Sequence, residues 1–158
     1  IILHHTKLFL KPPKKGASFP LHQDWSYFPT KNNSMIAAVV HLSDSHKNMG
    51  RIRVVKGSHK MERIPGSDGH SFIKGIHDKH NLEASEPVDA NAGDVLFFHC
   101  CTLHGSNSNI SSKPRKTILI QLYSGQDKIE ESEHTNLKLV LRGWNHQATR
   151  GNLDKIKG

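Results

Sequence analysis

No apolar run in this chain approaches the roughly 18 residues that a membrane-crossing helix needs. No signal-peptide pattern opens it either, so no membrane partner is expected. Cysteine is nearly absent, and the only two are the neighbours Cys100 and Cys101. Adjacent side chains on a strand face opposite ways, so this pair builds no disulfide framework and fits an intracellular, reducing compartment. It is also too tightly adjacent to supply a closed structural zinc site. Aromatic residues make up only 6% of the chain. Neither a basic helix, an RNA-binding aromatic motif nor a zinc-finger spacing accompanies the excess of positive charge, so nucleic acid is not expected as a partner. Internal repeats and low-complexity blocks are missing too.

Acidic residues are in the minority, with 14 Asp and Glu against 22 Lys and Arg and a formal net charge of +8. The cations form two groups, Lys11, Lys14 and Lys15, then Arg51, Arg53, Lys56, Lys60 and Arg63. Their plain reading is a solvated basic face, with an anionic partner as the alternative. At 158 residues the chain suits one domain, residues 1–158, able to bury about two-thirds of its unfolded surface. It opens at Ile1-Ile2-Leu3 inside a strand-like segment rather than at Met, and is expected to be a piece of something longer.

Convincing helical periodicity is scarce, whereas strand signals recur. Ile1 to Leu10 reads as a strand closed by the Lys11-Pro12-Pro13-Lys14-Lys15-Gly16 break. Apolar residues return at Phe19 and Leu21. Met35 to Leu42 is nearly continuously apolar, which suits a strand covered on both faces. Arg51 to Val55, Val95 to His99 continuing extended to His104, and Thr117 to Tyr123 follow, with Asn136 to Arg142 as a further short candidate. Between Lys60 and Glu86 lies a polar stretch of the kind that forms functional lids or is disordered. Many short strands separated by turns indicate an all-β sandwich or barrel.

The candidate site begins at Pro20-Leu21-His22-Gln23-Asp24-Trp25. In an extended strand His22 and Asp24 project from one face about 7 Å apart, so an imidazole and a carboxylate can grip one metal ion. No other of the 13 histidines has an acid two residues later. His104, at the end of a predicted strand beside Gly105-Ser106, supplies a second imidazole. Two histidines and one carboxylate on a β-scaffold match the facial triad of non-haem Fe(II) oxygenases, which leaves coordination positions open.

Four ordered blocks then resemble the phytanoyl-CoA dioxygenase family: Leu21 to Pro29, Gly50 to Lys60, Ala92 to His99, and His104-Gly105-Ser106 with Arg115. The resemblance implies a double-stranded β-helix (jelly-roll, cupin-like) core lacking the family's N-terminal helices. It further implies Fe(II)- and 2-oxoglutarate-dependent hydroxylation by dioxygen, with release of succinate and CO2. Ascorbate is a further candidate cofactor. His22, Asp24 and His104 would bind iron, and Arg115 and Ser106 the distal carboxylate of 2-oxoglutarate, with Lys7 and Gln23 as further cosubstrate contacts. Arg115 presents a planar fork suited to a carboxylate. Val40 stands where a pocket-lining Trp is expected, and Lys56 where a Pro is usual. Trp25, Tyr27 and Phe28 could wall a substrate entrance, while His59, His77 and His99 read as structural. The substrate could be a small molecule or an acyl-CoA, the latter clamped through its phosphates by Arg51, Arg53 and Lys56, and the compartment cytoplasmic or peroxisomal. A zinc hydrolase using the same three ligands and a non-catalytic β-barrel binding module are the alternative readings.

Overall fold

In the computed structural model, which describes residues 1–70 and 72–148, two antiparallel sheets face each other. Its strands are β1 (Ile2–Lys11), β2 (Phe19–His22), β3 (Ile36–His41), β4 (Ile52–Val54), β5 (Glu86–Val88), β6 (Val95–His99), β7 (His104–Ser106), β8 (Arg115–Tyr123) and β9 (Leu139–Val140). One sheet runs β6-β3-β8-β1-β9, the other β2-β7-β4-β5. This is the expected all-β, jelly-roll architecture. Residues 149–158 of the expected single domain lie outside the described residues.

Alternation along β8 sets the inner face. Arg115, Thr117, Leu119, Gln121 and Tyr123 are buried, while Ile118, Ile120 and Leu122 between them are only half-buried. The paired strand β1 changes phase. Ile2 faces Tyr123, but a bulge at His4 shifts the register, so that His5, Lys7, Phe9 and Lys11 lie opposite Gln121, Leu119, Thr117 and Arg115. One inserted residue moves every later side chain to the other face. Three of them, Lys7, Phe9 and Lys11, consequently line the interior cavity. On β3 the inward residues are Ala37, Val39 and His41. Val40 is half-buried, sits between Val95 and Ile118, and is absent from the cavity wall; Val39 takes that place.

Two stretches depart from the extended reading. Cys100 to Thr102 forms a turn, with the Thr102 amide donating to the His99 carbonyl at 2.8 Å, and the chain becomes a strand again only at His104. His104 thus begins β7 instead of ending a strand. Asp24 likewise leaves the strand, opening a 3-10 turn over Asp24–Ser26 after an extended Gln23.

The apolar core has two clusters. One contains Ile2, Phe28, Met35, Cys100, Cys101 and Tyr123, the other Ala37, Val39, Ile52, Phe98 and Leu119. A cavity of about 350 Å³ touches both, through Phe28 on one side and Val39, Ile52, Phe98 and Leu119 on the other.

Candidate active site

Strand pairing places the two imidazoles. His22 and His104 are direct partners between β2 and β7, with ring centroids 4.1 Å apart. Gly105 permits this approach, because a Cβ there would meet the Phe19 carbonyl oxygen at 2.6 Å. The turn after Gln23 then brings Asp24 Oδ1 to 3.6 Å from His22 Nε2 and 3.5 Å from His104 Nε2. Each imidazole is oriented by the carbonyl two residues before it, Pro20 for His22 and Thr102 for His104, both 2.9 Å from Nδ1. A carbonyl only accepts, so each Nδ1 carries the proton and each Nε2 presents a lone pair.

Three lone-pair donors therefore converge on one point, which is electrostatically unfavourable without a cation between them. The donor set fits a divalent ion of the iron class. Asp24 Oδ2 is held by the Gln121 amide at 2.7 Å. Burial pushes the Asp24 carboxyl up, but His104, His22 and Gln121 together outweigh it and hold the group below its ordinary range. Burial, with His22 adding, lowers His104 to about 4, so its imidazole is neutral and able to ligate at neutral pH.

At the far end of the cavity stands Arg115, 5% exposed, whose Nη1 donates to the Gly50 carbonyl at 2.5 Å while its Nε has no partner. Among the described residues no carboxylate pairs with it. Burial lowers it to about 10, so it remains a cation at neutral pH. Across the β1–β8 ladder lies Lys11, whose Nζ donates to the Ala17 and Asn107 carbonyls at 2.6 and 2.7 Å. Burial, then repulsion from Arg115, lowers Lys11 to about 8. Ser106 and Lys7 also line the cavity, Lys7 with its Nζ 5.0 Å from the Phe9 ring centroid.

Six of the seven sequence-derived residues thus surround one cavity, and Gln23 does not. Fully buried, its amide nitrogen donates to the Glu62 and Cys101 carbonyls at 2.9 and 2.6 Å. Its oxygen accepts from the Ile64 amide, the Ser67 hydroxyl and the Trp25 indole. Gln23 fastens the long 60–86 loop to the turn bearing Asp24. That loop passes directly over the site. Gly69 has φ +78°, and a Cβ there would lie 3.3 Å from the Cβ of His22, so both backbone conformation and space favour glycine.

The arginines of the expected phosphate clamp are also engaged. Arg53, 9% exposed, donates to the Glu83 and Ser85 carbonyls, both at 2.6 Å, and Arg51 pairs with Asp89 at 2.7 Å. Of the expected phosphate clamp, Lys56 alone has no side-chain hydrogen bond or ion pair among the described residues. The sequence marked Lys11 only as one of a basic group and did not single out Gln121. Gln121 had a usable signal, a polar side chain on the same alternate face as Arg115 and Thr117. A further cavity residue, His134, comes from the polar tail and packs on Phe28 with ring centroids 4.8 Å apart.

The sequence profile described as Phytanoyl-CoA dioxygenase (PhyH) matches residues 2–117. The chain belongs to the phytanoyl-CoA dioxygenase family. Among family relatives, the bovine (Bos taurus) "Phytanoyl-CoA dioxygenase, peroxisomal" is 35% identical over 128 residues, 75% of this chain and 38% of that protein. A "Probable alpha-ketoglutarate-dependent hypophosphite dioxygenase" from Stutzerimonas stutzeri is 31% identical over 127 residues, 76% of this chain and 44% of that protein. The chain thus spans about two-fifths of the length of these curated relatives. The solved non-heme monooxygenase ThoJ, in its apo form, has the same fold, with a TM-score of 0.70 and 24% identity over 86% of this chain and 51% of that one. Among the described residues no helix is long and apolar enough to cross a membrane.

Proposed function

We propose that this family member is an Fe(II)- and 2-oxoglutarate-dependent dioxygenase in which His22, Asp24 and His104 hold the iron. The observation that carries the reading is one cavity with three converging lone-pair donors at one end and, at the other, a buried guanidinium with no carboxylate partner among the described residues. Relatives named as dioxygenases, one of them alpha-ketoglutarate-dependent, support it. Bound iron would supply the dioxygen chemistry, in which decarboxylation of 2-oxoglutarate to succinate and CO2 is coupled to hydroxylation of a substrate. Arg115 would receive the distal carboxylate of 2-oxoglutarate in its planar fork, with Ser106, Lys7 and the Lys11 cation beside it. Fixing that end orients the rest of the molecule toward the triad. Phe9, Phe98, Val39 and Leu119 supply apolar wall that keeps water from the reacting groups. A zinc hydrolase has no comparable use for Arg115.

Substrate choice is left to a small molecule or an acyl-CoA, since relatives sharing this core are named for compounds as different as phytanoyl-CoA and hypophosphite. Ascorbate is proposed only as an accessory reductant. Residues 1–158 are proposed to act as one catalytic core within a larger fold. The outer face of the five-stranded sheet supports this: Val95, Val40, Ile118 and Leu8 lie in one cross-strand row, and Phe97, Ala38 and Ile120 in the next. Leu8 and Phe97 are 63% and 62% exposed, and an apolar sheet face of this kind calls for a covering layer.

The test is anaerobic addition of Fe(II) and 2-oxoglutarate to the purified protein. The expected result is a weak visible charge-transfer band requiring both additions, followed by succinate on admission of air. Bound iron without such a band at saturating 2-oxoglutarate would sink the reading.

A further inference from the structure

We propose that His99, Cys100 and Cys101 form a second metal site, for a thiophilic d10 ion of the zinc class, separate from the His22, Asp24 and His104 centre. Because Cys100 and Cys101 lie in a turn, their thiols converge instead of facing opposite ways. Their sulfurs are 3.9 Å apart, and Cys100 Sγ is 3.9 Å from His99 Nδ1. The three ligand atoms all lie within 4.8 Å of one another. Tetrahedral zinc, with bonds of about 2.3 Å to sulfur and about 2.0–2.1 Å to nitrogen, requires edges of about 3.8 Å and about 3.6 Å. The side chains are therefore close to ligating positions as they stand. Three adjacent ligands in a turn leave a fourth position to water or to His59, whose ring is centred 6.2 Å from that of His99. The difficulty of building a closed site from neighbouring cysteines does not apply to this arrangement.

Arg63 acts on both sulfurs as a nearby cation that would face thiolates there, while the neighbouring Cys101 thiol, burial and Asp24 push the Cys100 thiol up, so the ion itself must displace that proton. Binding exchanges three interactions: the Cys101 amide donates to His99 Nδ1 at 3.1 Å, Cys100 Sγ donates to the Asn33 carbonyl at 3.5 Å, and the two sulfurs are paired at 3.9 Å. The backbone on the other side of the turn gives the site its consequence. The Cys100 carbonyl accepts the Trp25 amide at 3.1 Å, and the Cys101 carbonyl accepts the Gln23 side chain at 2.6 Å. An ion held here would brace the two residues that flank Asp24, acting as a structural metal behind the candidate iron centre.

The probe is Co2+ with a thiol-free reductant under anaerobic conditions. It is added to the native protein and, in parallel, before recovery from urea, so that burial of the thiols does not prevent loading. Wild type is expected to bind two equivalents, one of them with an intense near-ultraviolet thiolate-to-cobalt band. Asp24→Ala should lose one equivalent and keep the band, and Cys101→Ala should lose the band and keep the other equivalent. His99→Ala, at a half-buried position, should weaken the band-forming site at least tenfold and serves if the cysteine variant does not fold. Wild-type protein that binds cobalt without a thiolate band by either route overturns the proposal, as does a band that survives Cys101→Ala. The band does not depend on 2-oxoglutarate, so its loss is distinguishable from failure of the dioxygenase reading.

Discussion

Replacing Arg115 by Leu separates cosubstrate binding from every other property of the site. Arg115 is 5% exposed, and its guanidinium has no carboxylate partner among the described residues and touches none of the three candidate iron ligands. A bound 2-oxoglutarate would lose the countercharge for its distal carboxylate. Truncating one partner of a buried, hydrogen-bonded charge pair costs about 2–5 kcal/mol. At about 1.4 kcal/mol per tenfold, affinity should fall roughly 30-fold to several thousand-fold. With Lys11 and Ser106 still lining the same cavity, the lower half of that range, about 100-fold, is expected. Thermal denaturation gives a readout independent of turnover. At a ligand concentration of 100 times the wild-type Kd, binding adds about 2.7 kcal/mol to wild type but only about 0.4 kcal/mol to a variant binding 100-fold more weakly. For a domain of this size that is a Tm rise of roughly 5–11 °C against about 1–2 °C. Arg115→Lys, which keeps the charge and loses the fork, should fall between. Fe(II) affinity should be unchanged. A variant whose KM for 2-oxoglutarate stays within about twofold of wild type, under roughly 0.5 kcal/mol, would show that Arg115 does not hold the cosubstrate.

Asp24→Ala should abolish Fe(II) retention and succinate formation with the fold intact by circular dichroism. Gln121→Leu, which strips the amide from Asp24 Oδ2, should weaken Fe(II) binding by about 10–100-fold; equal metal affinity in equilibrium titration would remove Gln121 from the site. Gln23→Met leaves the Ile64 amide and the Cys101 and Glu62 carbonyls without their partner, at about 1–3 kcal/mol for each buried group. Urea unfolding should show a loss of at least about 3 kcal/mol. A tenfold change in KM for 2-oxoglutarate at wild-type stability would instead make Gln23 a cosubstrate contact. Metal-free protein should lose stability in acid. Burial lowers His4 and His104 from 6.5 to about 4, so in that window the unfolded chain binds protons that the folded chain refuses. The stability is present above about pH 6.5 and lost toward pH 4. Both ring nitrogens of His4 are buried without partners. His4→Leu should therefore raise Tm at pH 7 and flatten the acid limb, and an unchanged slope between pH 7 and 5 would refute this.

Local pattern carried most of the architecture and much of the site. The runs Met35 to Leu42, Val95 to His99 and Thr117 to Tyr123 became β3, β6 and most of β8 because burial on a sheet repeats every two residues. His22, Asp24 and His104 stood out as candidates by residue type and spacing and Arg115 by the family resemblance, and the fold brings all four to one cavity. Tertiary structure decided what depends on register between distant strands. The bulge at His4 turned Lys11 from a member of a surface basic group into a neighbour of Arg115 inside the cavity. The turn at Cys100 made two thiols converge that a strand would have separated. Gln23 and Arg53 look like site residues in the text, yet in the fold the Gln23 amide and Nη2 of Arg53 are bonded to backbone groups of the 60–86 loop among other partners. That loop has no periodicity to announce where it docks. Its position is set by which buried donors and acceptors must find partners, and that is settled only when segments far apart in the chain meet.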